Sequence, residues 1–458
     1  MERGTEQVGA PTVIVGAGPT GIAAALGLGA APSIVLERRP EVGGLCGSLE
    51  LDGALFDLGG HAFTTPHPAV RELVFAALPM VEQRREARCW VDGQLIDYPF
   101  QRHFGALCDR AVAEECARGL RETDGRETAL APHFEEYLLR RFGTGVATHF
   151  MLPYNRKLWA RDLRRMDTGW VRERVAAPPT APVDAAPADA GRAVDAASAG
   201  TGSPPARQPL SEETRVAYPA EGGYVEIVRA LARDVRDVRL DDEVTRIDLA
   251  SRTLATSRSG ALAFDRLIAT IPPAALLALI DDAPAEPRAD AAALESMSLA
   301  LVLAVVEGPV ATTVQRIYVA DPRILAHKIV LNHTSTDALR ARPRHAVVSE
   351  IAFSAEKPLP ADVERRAVED LVAVGVVGHA GAVRTTRVLT IRHAYPVPTL
   401  DRVARMTAIR AWLEPRGVFL AGRLGEWDYI NADECIRRGL ALGRALAAGG
   451  PMTRTATA

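Results

Sequence analysis

The run Thr12-Val-Ile-Val-Gly16-Ala-Gly18-Pro-Thr-Gly21, which continues as an Ala- and Leu-rich stretch to Ala30, decides the fold. Its β-branched residues predict a short buried strand, and the stretch after the glycines predicts a helix. Ser33-Ile-Val-Leu-Glu37 then predicts a second strand that ends in an acid. A strand, a glycine turn, a helix and a strand in this order are typical of a dinucleotide-binding βαβ unit.

Each glycine of this turn has a different structural role. Gly16 allows the tight turn, Gly18 lets the backbone approach a pyrophosphate, and Gly21 lets the helix pack on the strand. Glu37 can accept hydrogen bonds from ribose hydroxyls and disfavours a 2′-phosphate at the same place. The cofactor-binding residues that this unit predicts are Gly16, Gly18, Pro19, Thr20, Gly21, Glu37 and Arg38.

Composition narrows the range of partners. The 458 residues include 54 Lys and Arg against 57 Asp and Glu, so we expect no nucleic-acid partner, which would need a basic face. The longest apolar run, Leu299–Val306, is far short of the about 20 residues of a membrane span. Five scattered cysteines without CxxC spacing predict neither a disulfide framework nor a metal site, and we expect a cytoplasmic protein without a secretory signal. A homo-oligomer remains open.

An Ala- and Pro-rich stretch interrupts the chain. Residues Ala176–Pro209 contain no aromatic residue, Leu or Ile, and 19 of these 34 residues are Ala or Pro. Such a stretch cannot bury enough apolar surface to offset its ordering entropy, and its seven prolines disfavour a helical hairpin. We therefore predict a disordered insertion over 176–213.

Periodicity and turn signals predict the remaining elements. The pattern is mainly helical over Pro68–Val175. The other predicted elements are helices at Val225–Ala232, Thr399–Leu413 and Glu434–Ala447, strands at Leu299–Val306, Ala346–Phe353 and Val418–Gly422, and a β-meander over Val238–Leu267.

Two features favour FAD over NAD. Gly43-Gly44, shortly after Glu37, resembles the second glycine motif of the glutathione-reductase-like flavoproteins. The strand Val418–Gly422 and the helix after it resemble the last FAD contact of those proteins. The resemblance adds Gly44, Leu45, Gly60, His61, Gly422 and Asp433 to the predicted FAD-binding residues.

Further blocks are similar to the UDP-galactopyranose mutase family, particularly its eukaryotic-type branch. They follow the family's order over nearly the whole chain, leaving out the Ala- and Pro-rich stretch and much of 275–390. The blocks are Phe56-Asp-Leu-Gly-Gly-His61, Asp97-Tyr98-Pro-Phe-Gln101, Phe142-Gly-Thr-Gly145, Phe150-Met-Leu-Pro-Tyr-Asn155-Arg-Lys-Leu-Trp159, Trp170-Val-Arg-Glu-Arg174, His393-Ala-Tyr395-Pro-Val-Pro-Thr399 and Gly422-Arg423-Leu-Gly-Glu-Trp-Asp-Tyr429.

The resemblance implies an α/β fold with a discontinuous Rossmann-like FAD-binding domain of the glutathione-reductase type. Residues 1–67, 214–275 and 391–458 would form this domain. A helical UDP-binding domain (68–175) and an antiparallel β-sheet substrate domain (276–390) would be inserted into it.

The resemblance also implies a substrate site. An aromatic ring and an asparagine would hold the uracil, while arginines and tyrosines would bind the diphosphate. His61, next to the flavin, would tune its electronics. The implied substrate-binding residues are Tyr98, Gln101, Phe150, Asn155, Trp159, Arg174, Tyr318, Lys328, Tyr395, Arg423 and Tyr429, and the implied catalytic residues are His61, Arg423 and Lys328.

The activity that the resemblance implies is redox-neutral ring contraction of a UDP-hexose, an isomerase reaction. N5 of reduced FAD would attack the anomeric carbon of the sugar and displace UDP. NADPH or NADH would reduce the flavin beforehand.

Two positions depart from the family pattern. Lys328, ten residues after Tyr318, stands where the family has an arginine, which keeps the charge but loses the bidentate fork. Glu221 replaces a positive residue in Tyr218-Pro-Ala-Glu221-Gly-Gly. Both departures leave the identity of the sugar open.

Two other functions remain open at this stage. An oxidase or desaturase of the amine oxidase type would share the FAD fold and would consume oxygen or another acceptor. A non-catalytic, flavin-bearing protein that binds UDP-sugars would account for the two departures. The Ala- and Arg-rich composition is typical of a high-GC bacterial source and suggests specialised metabolism.

Overall fold

A computed structural model describes residues 10–123, 131–171, 174–178, 215–310, 312 and 314–449. All but the first three residues of the predicted disordered insertion lie outside these ranges. Strands and helices account for most of the described chain. The strands are β1 Thr12–Val15, β2 Ser33–Leu36, β3 Ser48–Leu51, β4 Ala54–Asp57, β5 Met80–Arg84, β6 Ala87–Val91, β7 Gln94–Asp97, β8 Arg215–Pro219, β9 Val238–Arg239, β10 Val244–Asp248, β11 Thr253–Thr256, β12 Gly260–Ala263, β13 Arg266–Ala269, β14 Ser296–Glu307, β15 Arg316–Val319, β16 Lys328–Leu331, β17 Arg344–Phe353, β18 Val383–Pro396 and β19 Val418–Leu420.

The helices flank these strands and connect them. They are α1 Pro19–Leu28, α2 Pro68–Ala77, α3 Phe100–His103, α4 Arg110–Glu122, α5 Phe134–Val146, α6 Leu152–Trp159, α7 Val225–Ala232, α8 Pro273–Leu279, α9 Ala285–Ala292, α10 Asp337–Arg340, α11 Val363–Ala373, α12 Arg402–Leu413, α13 Gly422–Gly425 and α14 Ala432–Ala447. None of the helices in the described ranges has the length and apolar character needed to cross a bilayer.

A five-stranded parallel sheet carries the predicted βαβ unit. Its strand order is β19-β13-β1-β2-β9, so it is built from three separate stretches of the chain. All residues of β1 are buried, as its continuous β-branched run predicts for a strand covered on both faces. The strands predicted at Ser33–Glu37 and Val418–Gly422 are confirmed in this sheet, although each is slightly shorter.

Helices α1 and α14 pack closely together on one face of this sheet. The approach depends on small residues, because a Cβ atom on Gly443 would overlap the carbonyl oxygen of Ala24. A Cβ atom on Gly27 would lie 2.5 Å from the carbonyl oxygen of Leu440. The helix predicted at Glu434–Ala447 is confirmed and begins two residues earlier.

The second large sheet has seven strands in the order β18-β14-β17-β16-β15-β6-β7. All its pairs are antiparallel except β15 with β6. The strands predicted at Leu299–Val306 and Ala346–Phe353 are confirmed as parts of β14 and β17, which pair over ten residues. The hydrophobic cluster between this sheet and helices α3 to α6 is the largest of the four clusters in the described core.

Two secondary-structure predictions need correction. The stretch Pro68–Val175 is not helical throughout, because residues 80–97 form β5, β6 and β7, and the last two extend the seven-stranded sheet. These strands are short and mostly half-buried, so their apolar pattern is too weak to show a period of two. The meander predicted over Val238–Leu267 is confined to β10–β12, while β9 and β13 join the parallel sheet.

Replacing Gly443 by alanine should destabilise the protein although alanine is the better helix former. The added methyl group has no room against the backbone of α1, and such overpacking costs about 1 to 3 kcal/mol. Urea unfolding measures the effect, with Gly378→Ala as control because no atom lies within 4 Å of the site of its Cβ. Equal unfolding midpoints for the two variants would contradict this account of the helix pair.

Candidate active site

One large cavity, about 950 Å³ in volume, connects the glycine turn of β1 to the face of the seven-stranded sheet. Its size is at the upper end of the about 300–1,000 Å³ usual for small-molecule sites. The predicted residues that line it are Gly16, Gly18, Pro19, Thr20, Glu37, Arg38, Gly44, Leu45, Gly60, His61, Tyr98, Gln101, Phe150, Asn155, Arg174, Tyr318, Lys328, Tyr395, Arg423, Tyr429 and Asp433.

The glycine turn forms one end of the cavity. Gly16 has φ of +104°, which only glycine adopts without strain, and it directs the chain from β1 into α1. Gly18 and Gly44 face each other so closely that a Cβ atom on Gly44 would lie 3.3 Å from Cα of Gly18. The first turn of α1 has no side-chain cap, so its N–H groups remain available to an anion.

Glu37 organises the same end. Its carboxylate accepts hydrogen bonds from the backbone N–H groups of Ala17, at 2.9 Å, and Arg39, at 3.0 Å. These bonds occupy one lone pair on each oxygen and hold the turn against the end of β2. The remaining lone pairs can still accept from ligand hydroxyls.

His61 follows two glycines in the loop after β4 and is half-buried in the cavity wall. Its ring stacks on that of Tyr224, with centroids 4.7 Å apart. Burial, followed by the positive charge of Arg316, lowers the pKa of His61 to about 3. The imidazole is therefore neutral at physiological pH, and it can donate one hydrogen bond and accept another.

A buried carboxylate lies behind this loop. Glu350 of β17 has no exposed surface, and its Oε1 accepts a hydrogen bond from the backbone N–H of Gly60 at 2.6 Å. Nζ of Lys328 lies 2.8 Å from Oε2 as an ion pair, and Nε2 of His327 lies 3.5 Å from the same oxygen. Burial raises the pKa of Glu350, but Lys328 and His327 lower it by a larger amount. The pKa of Glu350 therefore lies well below its ordinary range.

Lys328 and Tyr318 are cross-strand neighbours. Their ten-residue separation in sequence places them opposite each other in the antiparallel pair β15–β16. The hydroxyl of Tyr318 accepts a hydrogen bond from Arg85 at 2.9 Å, and its ring lies 4.8 Å from that of Tyr98. Strand pairing thus brings a phenol, a guanidinium and an ammonium group together in the cavity wall.

Arg423 and Arg174 are held mainly by neutral groups. Arg423 donates to the carbonyl oxygens of Ile430, at 2.8 Å, and Ala394, at 3.4 Å. Arg174 donates to the carbonyl oxygen of Tyr429 at 2.8 Å and to the side chain of Asn431. Neither forms an ion pair within the described ranges, so both guanidinium groups keep their full charge toward the cavity.

Tyr395 and Tyr429 lie beside these arginines, with ring centroids 4.9 Å apart. The Arg423 guanidinium lies 5.3 Å from the centroid of the Tyr395 ring. Burial raises the pKa of both phenols. Both are therefore protonated at neutral pH and can donate to an anion.

Aromatic rings line the end of the cavity opposite the glycine turn, but Phe150, which was predicted to hold the uracil, is largely covered by other rings. Phe150 is only 4% exposed, and it stacks on Phe100 at 4.9 Å and on Tyr154 at 5.4 Å, which leaves little of its ring face for a base. Tyr154, which the sequence analysis did not single out, also lines the cavity. The amide of Asn155 donates to the carbonyl oxygen of Met151 at 2.8 Å, and its own oxygen is left to accept. Gln101 similarly donates to Ala176 at 2.7 Å.

The structure does not bring three of the predicted residues to the cavity wall. Trp159 is fully buried behind Tyr429, with ring centroids 5.3 Å apart, and it supports that tyrosine from the core. Gly21 and Gly422 lie behind the wall, where the backbone of Gly16 and the side chain of Thr20 leave no room for a Cβ. Glu221 is exposed and does not line the cavity, so its negative charge lies outside the site.

Sequence reasoning missed Arg85 and Arg316, which also line the cavity, and the buried Glu350. Arg85 lies between β5 and β6, in the region predicted to be mainly helical. Arg316 could have been found from Tyr318, because residues two apart in a strand share a face. Glu350 lies within an apolar run, and a charged residue inside a buried strand is itself a signal.

A sequence profile of the family described as "Flavin containing amine oxidoreductase" matches residues 19–422. The fold is similar to that of reduced UDP-galactopyranose mutase, at 24% identity and a TM-score of 0.84 over 96% of both chains. It is also similar to a fatty acid isomerase from P. acnes (16%, TM-score 0.65) and to a double mutant of putrescine oxidase (18%, TM-score 0.66), each over 96% of this chain and 99% of the other. At these identities the likeness shows a common fold.

The residues around the glycine turn fit FAD. The close approach of Gly18 and Gly44 leaves a backbone cradle beside the N-terminus of α1, which suits a pyrophosphate. Asp433, at the start of α14, is 2% exposed, and its Oδ1 has no hydrogen-bond partner among the described residues. A buried carboxylate oxygen that lines the cavity in this way suits a ligand hydroxyl.

Replacing Glu350 by glutamine should lower the free energy of unfolding by about 3 to 5 kcal/mol, because it leaves the buried ammonium of Lys328 without a counter-charge. Urea unfolding at pH 7 measures the change. The matched control is Glu369→Gln, which removes an exposed ion pair with Arg365 and should cost less than about 1 kcal/mol. A similar loss of unfolding free energy in the two variants would contradict the large contribution expected of the buried ion pair.

Replacing Glu350 by glutamine should also make the free energy of unfolding less sensitive to low pH. The pKa of Glu350 is lower in the folded protein than its ordinary value of 4.5, so its contribution is complete above that value and is lost as the pH falls below it. The unfolding free energy of the parent should therefore fall more steeply below pH 4.5 than that of Glu350→Gln. Parallel curves would rule out a depressed pKa at this position.

Proposed function

Given that the chain belongs to the family of flavin containing amine oxidoreductases, we propose that it is a flavin-dependent isomerase that interconverts the pyranose and furanose forms of a UDP-hexose. One observation carries the proposal. The part of the cavity beyond His61 is lined by Arg174, Arg423 and Lys328, together with tyrosine hydroxyls. Such a wall attracts a diphosphate and repels the protonated amine that an amine oxidase would take up.

The uridine would occupy the aromatic end of the cavity. Tyr154 offers a ring for the base, and the free amide oxygen of Asn155 can accept from the N–H of a uracil edge. Gln101 fixes the adjacent wall through Ala176. Base recognition at this end would set the distance between the diphosphate and the sugar.

The diphosphate would be bound by Arg423, Arg174, Tyr395 and Tyr429. Because carbonyl groups orient both arginines, little reorganisation is needed when an anion arrives. The two phenols are protonated and donate to the same oxygens. These groups would stabilise the negative charge that the diphosphate gains when its bond to the sugar breaks.

FAD, when bound and reduced by NADPH or NADH, supplies the nucleophile for the anomeric carbon. The chain's own contribution is to orient the sugar and to keep a neutral His61 beside Gly60. The backbone N–H of Gly60 is held by Glu350, so the loop that carries His61 cannot drift from the sheet. Lys328, paired with Glu350, offers its remaining N–H groups to the sugar side of the cavity.

For the fold we propose an FAD-binding domain of the glutathione-reductase type, discontinuous in sequence. The parallel sheet supports this, because its strands come from the N-terminal, central and C-terminal stretches. The seven-stranded sheet and helices α3 to α6 would then form the substrate part of the protein.

An oxidase of the amine oxidase type is the second candidate. The family profile favours it. The guanidinium-lined cavity argues against a cationic substrate, so an oxidase of this fold would need a neutral or anionic one.

The deciding experiment incubates the FAD-loaded protein, reduced with dithionite, with UDP-galactofuranose and separates the products by chromatography. We expect UDP-galactopyranose, with no net consumption of oxidant, and no conversion by the oxidised protein. Hydrogen peroxide formed in proportion to a substrate, with no conversion of any UDP-hexose, would favour the oxidase instead.

Replacing Arg423 by alanine should weaken UDP binding by about 10-fold to 100-fold, as expected for the loss of a charge-assisted hydrogen bond. The absorption spectrum of the bound flavin should change little, because the guanidinium faces the tyrosines rather than the glycine turn. Titration with UDP measures the effect, and Arg387→Ala, an exposed arginine of β18 outside the cavity, is the control. Unchanged UDP affinity in Arg423→Ala would contradict the assigned role.

A further inference from the structure

Arg316, the first residue of β15, is a cation that has no role in the binding scheme proposed above. It is half-buried and lines the cavity. Within the described ranges its guanidinium forms neither a hydrogen bond nor an ion pair, whereas Arg85, Arg174, Arg423 and Lys328 all have polar partners. An arginine held in a cavity wall without a partner is prepared for a ligand.

Strand register places Arg316 near the flavin end of the substrate region. Its Cα is paired with that of Val330, and a Cβ atom on Gly60 would lie 2.8 Å from the Val330 side chain. Arg316 also shares a strand face with Tyr318, whose partner is Lys328. Of the cations around His61, Arg316 lowers its pKa most, ahead of Lys328 and Arg423. Arg316 therefore lies beside the predicted position of the sugar, on the side of His61.

A UDP-hexose whose sugar is uncharged leaves the charge of Arg316 unmatched. Its diphosphate carries two negative charges, for which Arg174 and Arg423 suffice, and Glu350 already neutralises Lys328. Arg316 is then left without a counter-charge among the described residues. Burial raises the pKa of the Tyr318 phenol, but Arg85 and Arg316 lower it by more, so the net shift is downward. A further negative charge at the sugar would give Arg316 the counter-charge that it lacks among the described residues.

We propose that the nucleotide sugar bound by this protein carries a carboxylate on its hexose, as in a UDP-hexuronate, and that Arg316 recognises that carboxylate. This inference rests on the proposed function and specifies its substrate class. A guanidinium can bind a carboxylate through two parallel hydrogen bonds, which suits a flat group at C6 of a sugar. The carboxylate takes no part in ring contraction, so Arg316 determines specificity and does not act on the reacting atoms.

The test compares the affinities of UDP-galacturonate, UDP-galactose and UDP for the FAD-loaded protein by calorimetric titration. We expect UDP-galacturonate to bind about 10-fold or more tightly than UDP-galactose, as one charge-assisted bidentate contact would produce. In Arg316→Gln this preference should fall to about 1, and Arg316→Lys should restore part of it because the charge returns without the fork. Arg387→Gln, which removes an exposed arginine, should keep the preference of the parent.

Two outcomes would overturn the inference while leaving the proposed function standing. One is equal affinity of the parent for both sugars. The other is an equal loss for UDP, UDP-galactose and UDP-galacturonate in Arg316→Gln, which would make Arg316 a diphosphate ligand. Absence of binding for UDP and both sugars would instead overturn the proposed function and this inference together. The flavin spectrum of each variant, compared with that of the parent, controls for misfolding.

Discussion

The arrangement of the site depends on a carboxylate that has no access to water. Glu350 is completely buried in a strand of the seven-stranded sheet, and a buried charge is tolerated only when it is paired and hydrogen-bonded. Its partners belong to different parts of the chain: Lys328 and His327 on or next to the neighbouring strand, and the backbone of Gly60 in the loop after β4. This requirement ties the loop that carries His61 to the sheet, and the cavity forms where the two meet.

Charge has a second effect in the cavity. Arg174 and Arg423 in its wall are oriented by carbonyl oxygens, which satisfy their geometry without neutralising them. A low-dielectric cavity that contains several uncompensated guanidinium groups favours an anionic ligand strongly. A flavin is common to the family, so this electrostatic character is what would separate the proposed nucleotide-sugar site from the site of an amine oxidase.

Much of the fold could be read from periodicity and turn signals. Short continuous apolar runs identified β1, β2, β14, β17 and β19, because strands buried on both faces or at the centre of a sheet leave little room for polar residues. The strands within 80–97 were missed, since β7 is the edge strand of the large sheet, β6 is its neighbour, and β5 pairs only with β8 in a small separate sheet. Edge strands owe their conformation to pairing with distant segments, which a local pattern does not contain.

The sequence by itself determined the dinucleotide turn, the residue types available for an anionic ligand and the order of the blocks along the chain. These follow from local rules: glycine where φ is positive, β-branched residues in buried strands, and arginine where phosphate is to be bound. Only the tertiary structure decided that Trp159 supports the cavity from behind and that Tyr154 shares its wall with Phe150. It also decided that Arg316 faces the site without a counter-charge, because pairing depends on strand register and on residues far apart in sequence.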